Sequence, residues 1–462
     1  MIFKTATLGC KVNQYETQWI RSAFLANGWE DADASNRADE DVDLVIVNTC
    51  SVTAESDAKS RKIIAKFAKT HSNAEIVVAG CYAASDPQGA RKLPRVSEIV
   101  PDKRDLPEFF RRRGLETIPK GVASLAERRR AYVKVQDGCR VGCAYCIIPT
   151  TRPYLHSRSV DDVLDEAKAL AANGYQEIVV TGVHLGHYGL DFYPPAPEEL
   201  ATSTADALAR EKLPLERYLA RQARVPASDR VDLATLLEAL ASLRLPHMRF
   251  RLGSLEAVEV SEKLLDVVAS RPDVICPHFH LSMQSGDDAV LKSMKRRWLS
   301  EPYIAKCEEI YRKIPDAALT TDVIVGFPGE TDAQFERTVD VVKSLHFSRT
   351  HVFRFSARPG TVAASLPDQI APEVKKERAA KLGAVARQER EAFARRFVGK
   401  TTRLVVESES SLTLGTRSLK GTTERYYEVD VPLAPRDVVQ PGKLVDVELT
   451  DLRGDVFVGR LL

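Results

Sequence analysis

Three cysteines within eight residues constrain this chain more than any other feature. Cys139, Cys143 and Cys146 have the spacing C-x₃-C-x₂-C and follow residues 131–135, a β-branched and aromatic run that predicts a strand. Three thiolates on one loop can hold three corners of a [4Fe-4S] cluster and leave the fourth iron free to bind a cofactor. A structural zinc ion is the alternative. It needs a fourth nearby ligand, and the closest histidine, His156, lies ten positions beyond Cys146.

The cysteine motif carries an aromatic residue, Tyr145, directly before its third cysteine. In this form it resembles the motif of the radical S-adenosylmethionine (SAM) superfamily. The resemblance implies that the amino and carboxylate groups of SAM chelate the open iron. It also implies that SAM is split there into methionine and a 5′-deoxyadenosyl radical.

Length and composition limit the remaining classes of protein. A chain of 462 residues predicts about three domains, and a net charge of +2 neither requires nor excludes a nucleic-acid partner. The sequence has no run of 18 apolar residues and no apolar segment of the secretory type at its start. We therefore expect a cytoplasmic protein without a membrane partner. In that reducing compartment clustered cysteines are metal-binding or catalytic rather than disulfide-bonded.

Three apolar runs near the start of the chain each lead to a cysteine, namely Cys10, Cys50 and Cys81. Helical patterns over residues 15–26 and 58–69 separate the runs, which predicts a parallel α/β sheet for a domain of residues 1–120. The carboxyl ends of parallel strands lie along one edge, so the three thiols should converge there. They would then hold a second cluster with an open iron. The alternative is three separately buried cysteines.

The residues around these cysteines carry a closer resemblance. Residues 7–17 (TLGCKVNQYET), 48–53 (NTCSVT) and 79–82 (AGCY) resemble the methylthiotransferase family, and the first segment resembles its branch acting on threonylcarbamoyladenosine in tRNA. The resemblance implies an auxiliary [4Fe-4S] cluster on Cys10, Cys50 and Cys81 that holds the incoming sulfur. The cluster on Cys139, Cys143 and Cys146 would then be the one that binds SAM.

Six strand-like runs alternate with helical patterns between residues 121 and 370, and an insertion spans about 192–230. This predicts an incomplete parallel (βα)₆ barrel whose site lies at the strand carboxyl ends. The resemblance to radical SAM proteins implies that polar and glycine positions at these ends contact SAM. Those positions are Tyr145, Thr181, Gly182, Ser254, Glu256 and Gln284.

Other polar and thiol residues of the central region have simpler interpretations. A metal site on His184 and His187 is the less favoured interpretation of that pair, given two cysteine trios. Core packing is expected for Cys276 and Cys307. Pro153 stands where relatives usually have glycine, and its fixed φ changes the local backbone beside the SAM-cluster loop.

Residues 371–462 predict a basic helix followed by a small antiparallel β-barrel. The barrel resembles the TRAM domain, which binds RNA. Residues 371–403 contain ten Lys or Arg and four Asp or Glu, so the helix is the better candidate for phosphate contacts. Tyr426, Tyr427 and Phe457 are either base-stacking residues or, as we favour, core residues of the barrel.

Taken together, the resemblances imply a tRNA methylthiotransferase. It would convert the adenine C2–H of N6-threonylcarbamoyladenosine at position 37 into the 2-methylthio derivative. Such an enzyme needs two [4Fe-4S] clusters, SAM, the anticodon loop of tRNA, a sulfur donor and a low-potential electron donor such as a flavodoxin or ferredoxin. The alternatives are another modified adenosine or a ribosomal-protein side chain as substrate, a single-cluster radical enzyme, and a non-catalytic RNA-binding iron–sulfur protein.

Overall fold

A computed structural model describes residues 1–35, 37–125, 129–195, 213–411 and 417–462. Residues 196–212, which form the middle of the predicted insertion, lie outside the described residues. Short 3₁₀ helices occur at Asp39–Asp41, Lys103–Asp105, Leu185–His187, Leu190–Phe192, Ala227–Asp229, Ala257–Glu259 and Val362–Ser365.

The N-terminal part is a parallel sheet covered by helices on both faces. Its strands are β1 (Ile2–Thr7), β2 (Glu30–Asp31), β3 (Leu44–Thr49), β4 (Glu75–Gly80) and β5 (Val96–Val100), in the spatial order β2-β1-β3-β4-β5. Its helices are α1 (Lys11–Ala26), α2 (Ala32–Ser35), α3 (Ala54–Thr70), α4 (Cys81–Ser85), α5 (Pro87–Arg91) and α6 (Leu106–Arg112). Alternate residues of β3 pack on opposite faces: Ile46 joins Phe24 of α1, and Val47 joins Ile64 of α3. The predicted parallel sheet is thus confirmed, with β2 and β5 added at its edges.

The central part is an open half-barrel of six parallel strands. Strands of this part are β6 (Ala131–Asp137), β7 (His156–Ser157), β8 (Glu177–Gly182), β9 (Arg249–Leu252), β10 (Ser254–Leu255), β11 (His278–Leu281), β12 (Ala318–Val325) and β13 (Arg349–Arg354). The six main strands follow the order β6-β8-β9-β11-β12-β13, and β7 pairs antiparallel with the outer edge of β6. The ladder is interrupted between β9 and β11, where a single bridge joins Phe250 to Ile275.

Helices of the half-barrel cover its outer surface. They are α7 (Ile148–Thr151), α8 (Val160–Ala172), α9 (Leu215–Ala223), α10 (Leu233–Ser242), α11 (Glu262–Ser270), α12 (Asp288–Ser293), α13 (Ser300–Lys313) and α14 (Asp332–Leu345). Two of these helices have capped starts: Ser159 accepts from the Asp162 backbone N–H, and Thr331 with Gln334 forms a full capping box. Cys276 and Cys307 are buried in the protein interior, as expected.

The C-terminal part is helix α15 (Pro372–Arg395) followed by a closed five-stranded barrel, consistent with a TRAM-like domain. Its strands are β14 (Thr401–Ser411), β15 (Arg417–Thr423), β16 (Glu428–Leu433), β17 (Leu444–Arg453) and β18 (Val456–Leu461), in the order β14-β15-β16-β18-β17. The barrel is antiparallel except for β16 and β18, which pair in parallel. Tyr427 and Phe457 are buried in the barrel core, so base stacking is the wrong interpretation for these two residues.

A buried ion cluster fastens the C-terminal barrel to the half-barrel. Glu177 of β8 accepts hydrogen bonds from Arg249 and Arg251 of β9, and all three side chains are inaccessible. The two guanidinium groups also donate hydrogen bonds to the C-terminal barrel, to the backbone carbonyls of Thr422 and Thr423 at 2.9 and 2.8 Å. Each buried charge is therefore paired and hydrogen-bonded, which is the condition under which buried charges are tolerated.

Candidate active site

The SAM-cluster cysteines lie on the loop that follows β6. Gly138 opens this loop with φ +81°, and a Cβ there would stand 1.8 Å from the carbonyl oxygen of Tyr154. Only glycine fits this position, because it accepts a left-handed backbone and leaves room for the neighbouring chain. The next residue, Cys139, donates its backbone N–H to the carbonyl of Arg152 at 3.1 Å. The loop is thereby closed upon itself between Cys139 and Arg152.

All three thiols of this loop line a single cavity of about 220 Å³ at the carboxyl ends of the strands. Arg296 lies across it and donates to the Cys143 Sγ at 3.3 Å and to the Tyr145 hydroxyl at 3.2 Å. Its other nitrogen lies 3.2 Å from Glu256. Arg296 was not predicted from the sequence, because Cys143 and Tyr145 lie more than 150 positions before it and the pairing leaves no local signal.

The candidate SAM contacts divide into two groups in the structure. Tyr145, Ser254, Glu256 and Gln284 line the cavity with the three cysteines. Thr181 and Gly182 end β8 just before it, and the residues that reach the cavity from this strand are the next two, Val183 and His184.

His184 and His187 form a stacked pair beside the cysteine loop, with ring centroids 3.7 Å apart. His184 Nδ1 is 3.5 Å from the Cys139 Sγ, and its Nε2 is hydrogen-bonded to Glu259. Burial opposes protonation of His184, but Glu259 and Cys139 outweigh burial and hold its pKa well above the usual value. His184 is thus placed to donate to the Cys139 sulfur. His184, His187 and Glu259 also offer ligand atoms that lie within 4.8 Å of one another, so the geometry is compatible with the less favoured metal site as well.

The auxiliary trio of cysteines lies at the carboxyl edge of the N-terminal sheet. Cys50 directly follows β3 and Cys81 directly follows β4, and the preceding residues, Thr49 and Gly80, are paired across the two strands. Cys10 caps the start of α1 after β1, the strand on the other side of β3.

Close contacts tie the three auxiliary cysteines together. A Cβ on Gly9, whose φ is +106°, would stand 2.9 Å from the Cys50 Sγ, so the Cys10 loop touches Cys50. Cys10 is exposed to solvent at its surface but is surrounded by protein atoms, and the resulting desolvation raises the pKa of its thiol. Arg152 opposes this shift in pKa, and the Cys81 thiol adds to it. The topology thus brings together three thiols that are 40 and 31 positions apart in sequence.

A buried charge cluster joins the two cysteine loops. The Arg152 side chain donates to Glu16 at 2.7 and 2.8 Å, to Asp137 at 2.8 Å and to Asn13 at 2.9 Å, while its carbonyl holds Cys139. Lys103 and Lys134 complete the cluster against the same carboxylates, at 3.2 and 2.8 Å from Glu16. Burial would raise the pKa of Glu16, but Arg152 and the two lysines keep it well below the usual value.

Contacts between elements place the two trios on facing surfaces. Helix α4, which begins at Cys81, packs against α7, which begins two residues after Cys146. Arg358, beyond β13, is buried and donates to the Ser51 hydroxyl at 2.6 Å, next to Cys50, and also pairs with Asp57. Both contacts place the segments that carry Cys50 and Cys81 on the side where the N-terminal sheet meets the half-barrel.

The described part of the predicted insertion supports the SAM-cluster loop. Arg140, between the first two cysteines of the motif, donates to the carbonyl of Leu213 at 2.8 Å. Leu213, Leu215 and Tyr218 form an apolar cluster against which Val141 of the same loop packs. The packing of the short helix α9 gives the described part of the insertion a structural role that its composition does not show.

The donor set of each trio fits an iron–sulfur cluster. On the SAM-cluster loop burial and the neighbouring thiols raise the pKa of Cys146 to about 12, and the backbone N–H of Ile148 and the Arg296 guanidinium oppose this shift. Bound iron would favour the thiolate form of such cysteines. Cys139, Cys143 and Cys146 would hold the cluster that activates SAM, and Cys10, Cys50 and Cys81 would hold the auxiliary one.

Comparison with known proteins identifies the family of this chain. The family model described as the radical SAM superfamily matches residues 133–342, and the model described as uncharacterized protein family UPF0004 matches residues 3–101. The class defined by the half-barrel and its cysteine loop is thus the radical SAM enzymes. The chain is also 32% identical to the threonylcarbamoyladenosine tRNA methylthiotransferase MtaB of Bacillus subtilis, over 96% of this chain and 92% of the relative. It belongs to the radical SAM methylthiotransferase family.

Two further comparisons bear on specificity and fold. The chain is 32% identical to tRNA-2-methylthio-N(6)-dimethylallyladenosine synthase 1 of Mycobacterium marinum, covering 97% of this chain and 84% of the relative. The radical SAM methyltransferase TsrM of Kitasatospora setae, solved with cobalamin and a [4Fe-4S] cluster, shares the fold with a TM-score of 0.54. That match has 14% identity and covers 79% of this chain and 77% of TsrM. No helix among the described residues is long and apolar enough to cross a membrane.

Proposed function

We propose that this enzyme methylthiolates C2 of N6-threonylcarbamoyladenosine at position 37 of tRNA, next to the anticodon. The observation that supports the proposal is that Arg152 joins the regions of two cysteines: its side chain binds Asn13 and Glu16 on the helix that follows Cys10, and its carbonyl accepts the Cys139 backbone N–H. The relatives named for threonylcarbamoyladenosine and for dimethylallyladenosine share the C2 chemistry and differ in the N6 group. The opening motif TLGCKVNQYET favours the first of these substrates.

The chemistry requires both clusters and two molecules of SAM. An adenine C2–H is not acidic, so hydrogen-atom abstraction replaces proton transfer to a side chain, and the SAM-bound cluster supplies that abstraction when reduced. In the overall reaction the C2–H bond breaks and a C2–S bond forms. The hydrogen leaves in 5′-deoxyadenosine, and one SAM gives its methyl group to the sulfur.

The residues of this chain orient and protect the reacting groups. Arg296 and His184 donate to cysteine sulfurs of the SAM-cluster loop, and Glu256 and Gln284 present polar atoms to the SAM cavity. The external requirements are a low-potential electron donor such as a flavodoxin or ferredoxin, a sulfur donor and the anticodon loop of tRNA. All three are available in the cytoplasm, where we place the enzyme. An anticodon-loop base can be unstacked into the cleft at low cost.

Nucleoside mass spectrometry of tRNA tests the substrate. Deletion of the gene should remove 2-methylthio-N6-threonylcarbamoyladenosine, leave its unmethylthiolated precursor in place, and be complemented by the wild-type chain but not by Cys139→Ala. Loss of a methylthiolated dimethylallyladenosine instead would select the second relative's substrate. Unchanged tRNA would redirect the search to a ribosomal-protein side chain.

Iron and sulfide content tests the second cluster. Anaerobically reconstituted wild-type protein should contain about eight irons per chain, and the triple replacement of Cys10, Cys50 and Cys81 by alanine about four. This triple variant should still cleave SAM to 5′-deoxyadenosine without forming product. About four irons per chain in the wild-type protein would indicate a single-cluster enzyme. If the wild-type protein does not cleave SAM, a non-catalytic RNA-binding protein is indicated instead.

A further inference from the structure

The interior of the half-barrel holds a second cavity, of about 310 Å³, below the cysteine loops. Residues two apart on a strand face the same way, so three adjacent strands each present a row of side chains to it. The rows are His278 and His280 on β11, Thr320 and Asp322 on β12, and Arg349, His351 and Phe353 on β13. Tyr426, from the turn between β15 and β16, forms part of the floor and stacks on His278, with the ring centroids 5.2 Å apart.

This half-barrel cavity adjoins both cysteine sites. Ser254 lines it and also lines the cavity of the SAM-cluster cysteines. Lys11, which directly follows Cys10, lines it from the N-terminal part of the chain. A planar base held between the two cysteine trios can therefore extend a substituent into the half-barrel cavity.

The charge of the half-barrel cavity is positive, and two of its cations lack an anionic partner. Among the residues that the structure describes, the Arg349 side chain makes no hydrogen bond or ion pair, and the Lys11 ammonium contacts the ring of Tyr426, at 5.7 Å, and no carboxylate. Burial and the nearby Arg390 lower the pKa of Arg349 although the Asp455 carboxylate opposes this shift, and an incoming anion would act in the same direction as Asp455. The single lining carboxylate, Asp322, is already paired with His280 at 3.1 Å.

Taking the proposed function as the basis, we propose that this cavity binds the anionic N6 substituent of the target adenine, with Arg349 and Lys11 receiving its carboxylate. On the purine ring, C2–H and the N6 substituent point in different directions. When C2 faces the cysteine loops, the substituent points away from them and can enter the half-barrel cavity. Phe353, which is 49% exposed, offers an apolar face for the ring at the upper end of β13.

The same charges explain selection against a neutral substituent. A dimethylallyl group would bury apolar atoms beside Lys11 and Arg349 and would leave both cations without a partner and partly desolvated. A site that binds a charged group strongly rejects analogues that lack this group. An apolar pocket rejects analogues that carry an added polar group less strongly. Arg349 and Lys11 are thus specificity-determining residues of the half-barrel cavity.

A divalent metal is the competing occupant of the same cavity. His280, Asp322 and His351 offer ligand atoms that all lie within 4.8 Å of one another, the two-histidine, one-carboxylate set that binds transition metals. The two unpaired cations, Lys11 and Arg349, oppose a metal ion electrostatically and favour an anion. We therefore assign the cavity to the carboxylate.

The test compares Arg349→Gln with Arg354→Gln, which removes the same charge from the opposite face of the same strand. Binding to three anticodon stem-loop RNAs is measured by fluorescence anisotropy with SAM present: one with threonylcarbamoyladenosine, one with its methyl ester and one with dimethylallyladenosine. Arg349→Gln should weaken binding of the acid roughly ten- to a hundred-fold, the range of one charge-assisted hydrogen bond, and change binding of the ester by less than about two-fold. Arg354→Gln should bind all three as the wild type does. SAM cleavage without RNA should be equal in all proteins, which shows that the fold is intact.

Three outcomes would overturn the assignment in distinguishable ways. In the first outcome, the wild-type protein binds the acid and the ester equally, and Arg349→Gln binds them as Arg354→Gln does. If the wild type still methylthiolates the acid-bearing RNA, this result refutes the present inference and leaves the proposed function intact. A wild type that modifies only the dimethylallyl RNA would refute the proposed function as well. In the third outcome, titration with zinc alone shows that the wild-type protein binds one zinc ion per chain and that His351→Ala does not. The half-barrel cavity would then be a metal site.

Discussion

Replacement of Arg152 by methionine tests whether this residue holds the N-terminal part against the half-barrel. The variant keeps the volume of the side-chain stem and the backbone carbonyl that binds Cys139, and it removes four hydrogen bonds to Glu16, Asp137 and Asn13. Breaking a buried ion pair costs about 3–5 kcal/mol because the remaining charge is left without its partner. Lys103 and Lys134 stay beside Glu16, so we expect the lower limit of that range, about 3 kcal/mol.

The assay is urea unfolding followed by circular dichroism, with Arg111→Met as the matched control. Arg111 also pairs with a glutamate, Glu108, but its side chain is 63% exposed, and such surface pairs contribute at most about 1 kcal/mol. A loss of about 3 kcal/mol lowers the unfolding midpoint by about 1 M or more at the usual slopes. Arg152→Lys, which keeps the charge and loses the planar fork, should fall between the wild type and Arg152→Met.

A refuting result is easily recognised. If the unfolding free energies of Arg152→Met and Arg111→Met differ by less than about 1 kcal/mol, the buried cluster does not hold the N-terminal part against the half-barrel. If Arg152→Lys matches the wild type, the charge alone is sufficient and the four-bond geometry is irrelevant.

Two positions give three further predictions. Gly9→Ala places a Cβ 2.8 Å from that of Cys50 at a left-handed φ, so the reconstituted variant should lose about half of its iron while SAM cleavage persists, as iron analysis and chromatography will show. Glu177→Gln leaves Arg249 and Arg251 without their buried counter-charge and should cost about 3–5 kcal/mol in urea unfolding. Burial alone would raise the pKa of Glu177, but the two arginines lower it. Its stabilisation is therefore full above the ordinary carboxyl pKa of about 4 and is lost as the pH falls toward the folded value. Stability measured between pH 7 and pH 3 should thus decline less in Glu177→Gln than in the wild type.

Local sequence patterns were sufficient to predict most of the fold. Apolar runs ending at Cys10, Cys50 and Cys81 predicted β1, β3 and β4, and the six strand-like runs of the central region all became strands of the half-barrel. Two of the strands that were not predicted have weak local signals. Strand β15, with the sequence RSLKGTT, is small and polar, and β2 has only two residues. These strands exist because barrel closure and edge pairing supply partners that periodicity does not reveal.

Residue-level contacts of the site were less predictable than the cysteines. The two trios follow from spacing and strand order, which are local or topological properties. Arg296 contacts Cys143 across 153 positions, and Arg152 contacts Asn13 across 139, so neither pairing leaves a pattern in the sequence. Ion pairs of this kind depend on which helix docks on which strand, a choice made only in the folded chain.

Two arginines show why the N-terminal part must dock where it does. Arg152 follows β6, the first strand of the half-barrel, and Arg358 follows β13, the last. One holds helix α1 beside Cys10, and the other holds the segment beside Cys50 through Ser51. The N-terminal sheet therefore spans the open side of the half-barrel and is fixed at both edges of that opening. This sheet cannot separate from the half-barrel without breaking charge pairs at both ends, Arg152 with Glu16 at one and Arg358 with Asp57 at the other.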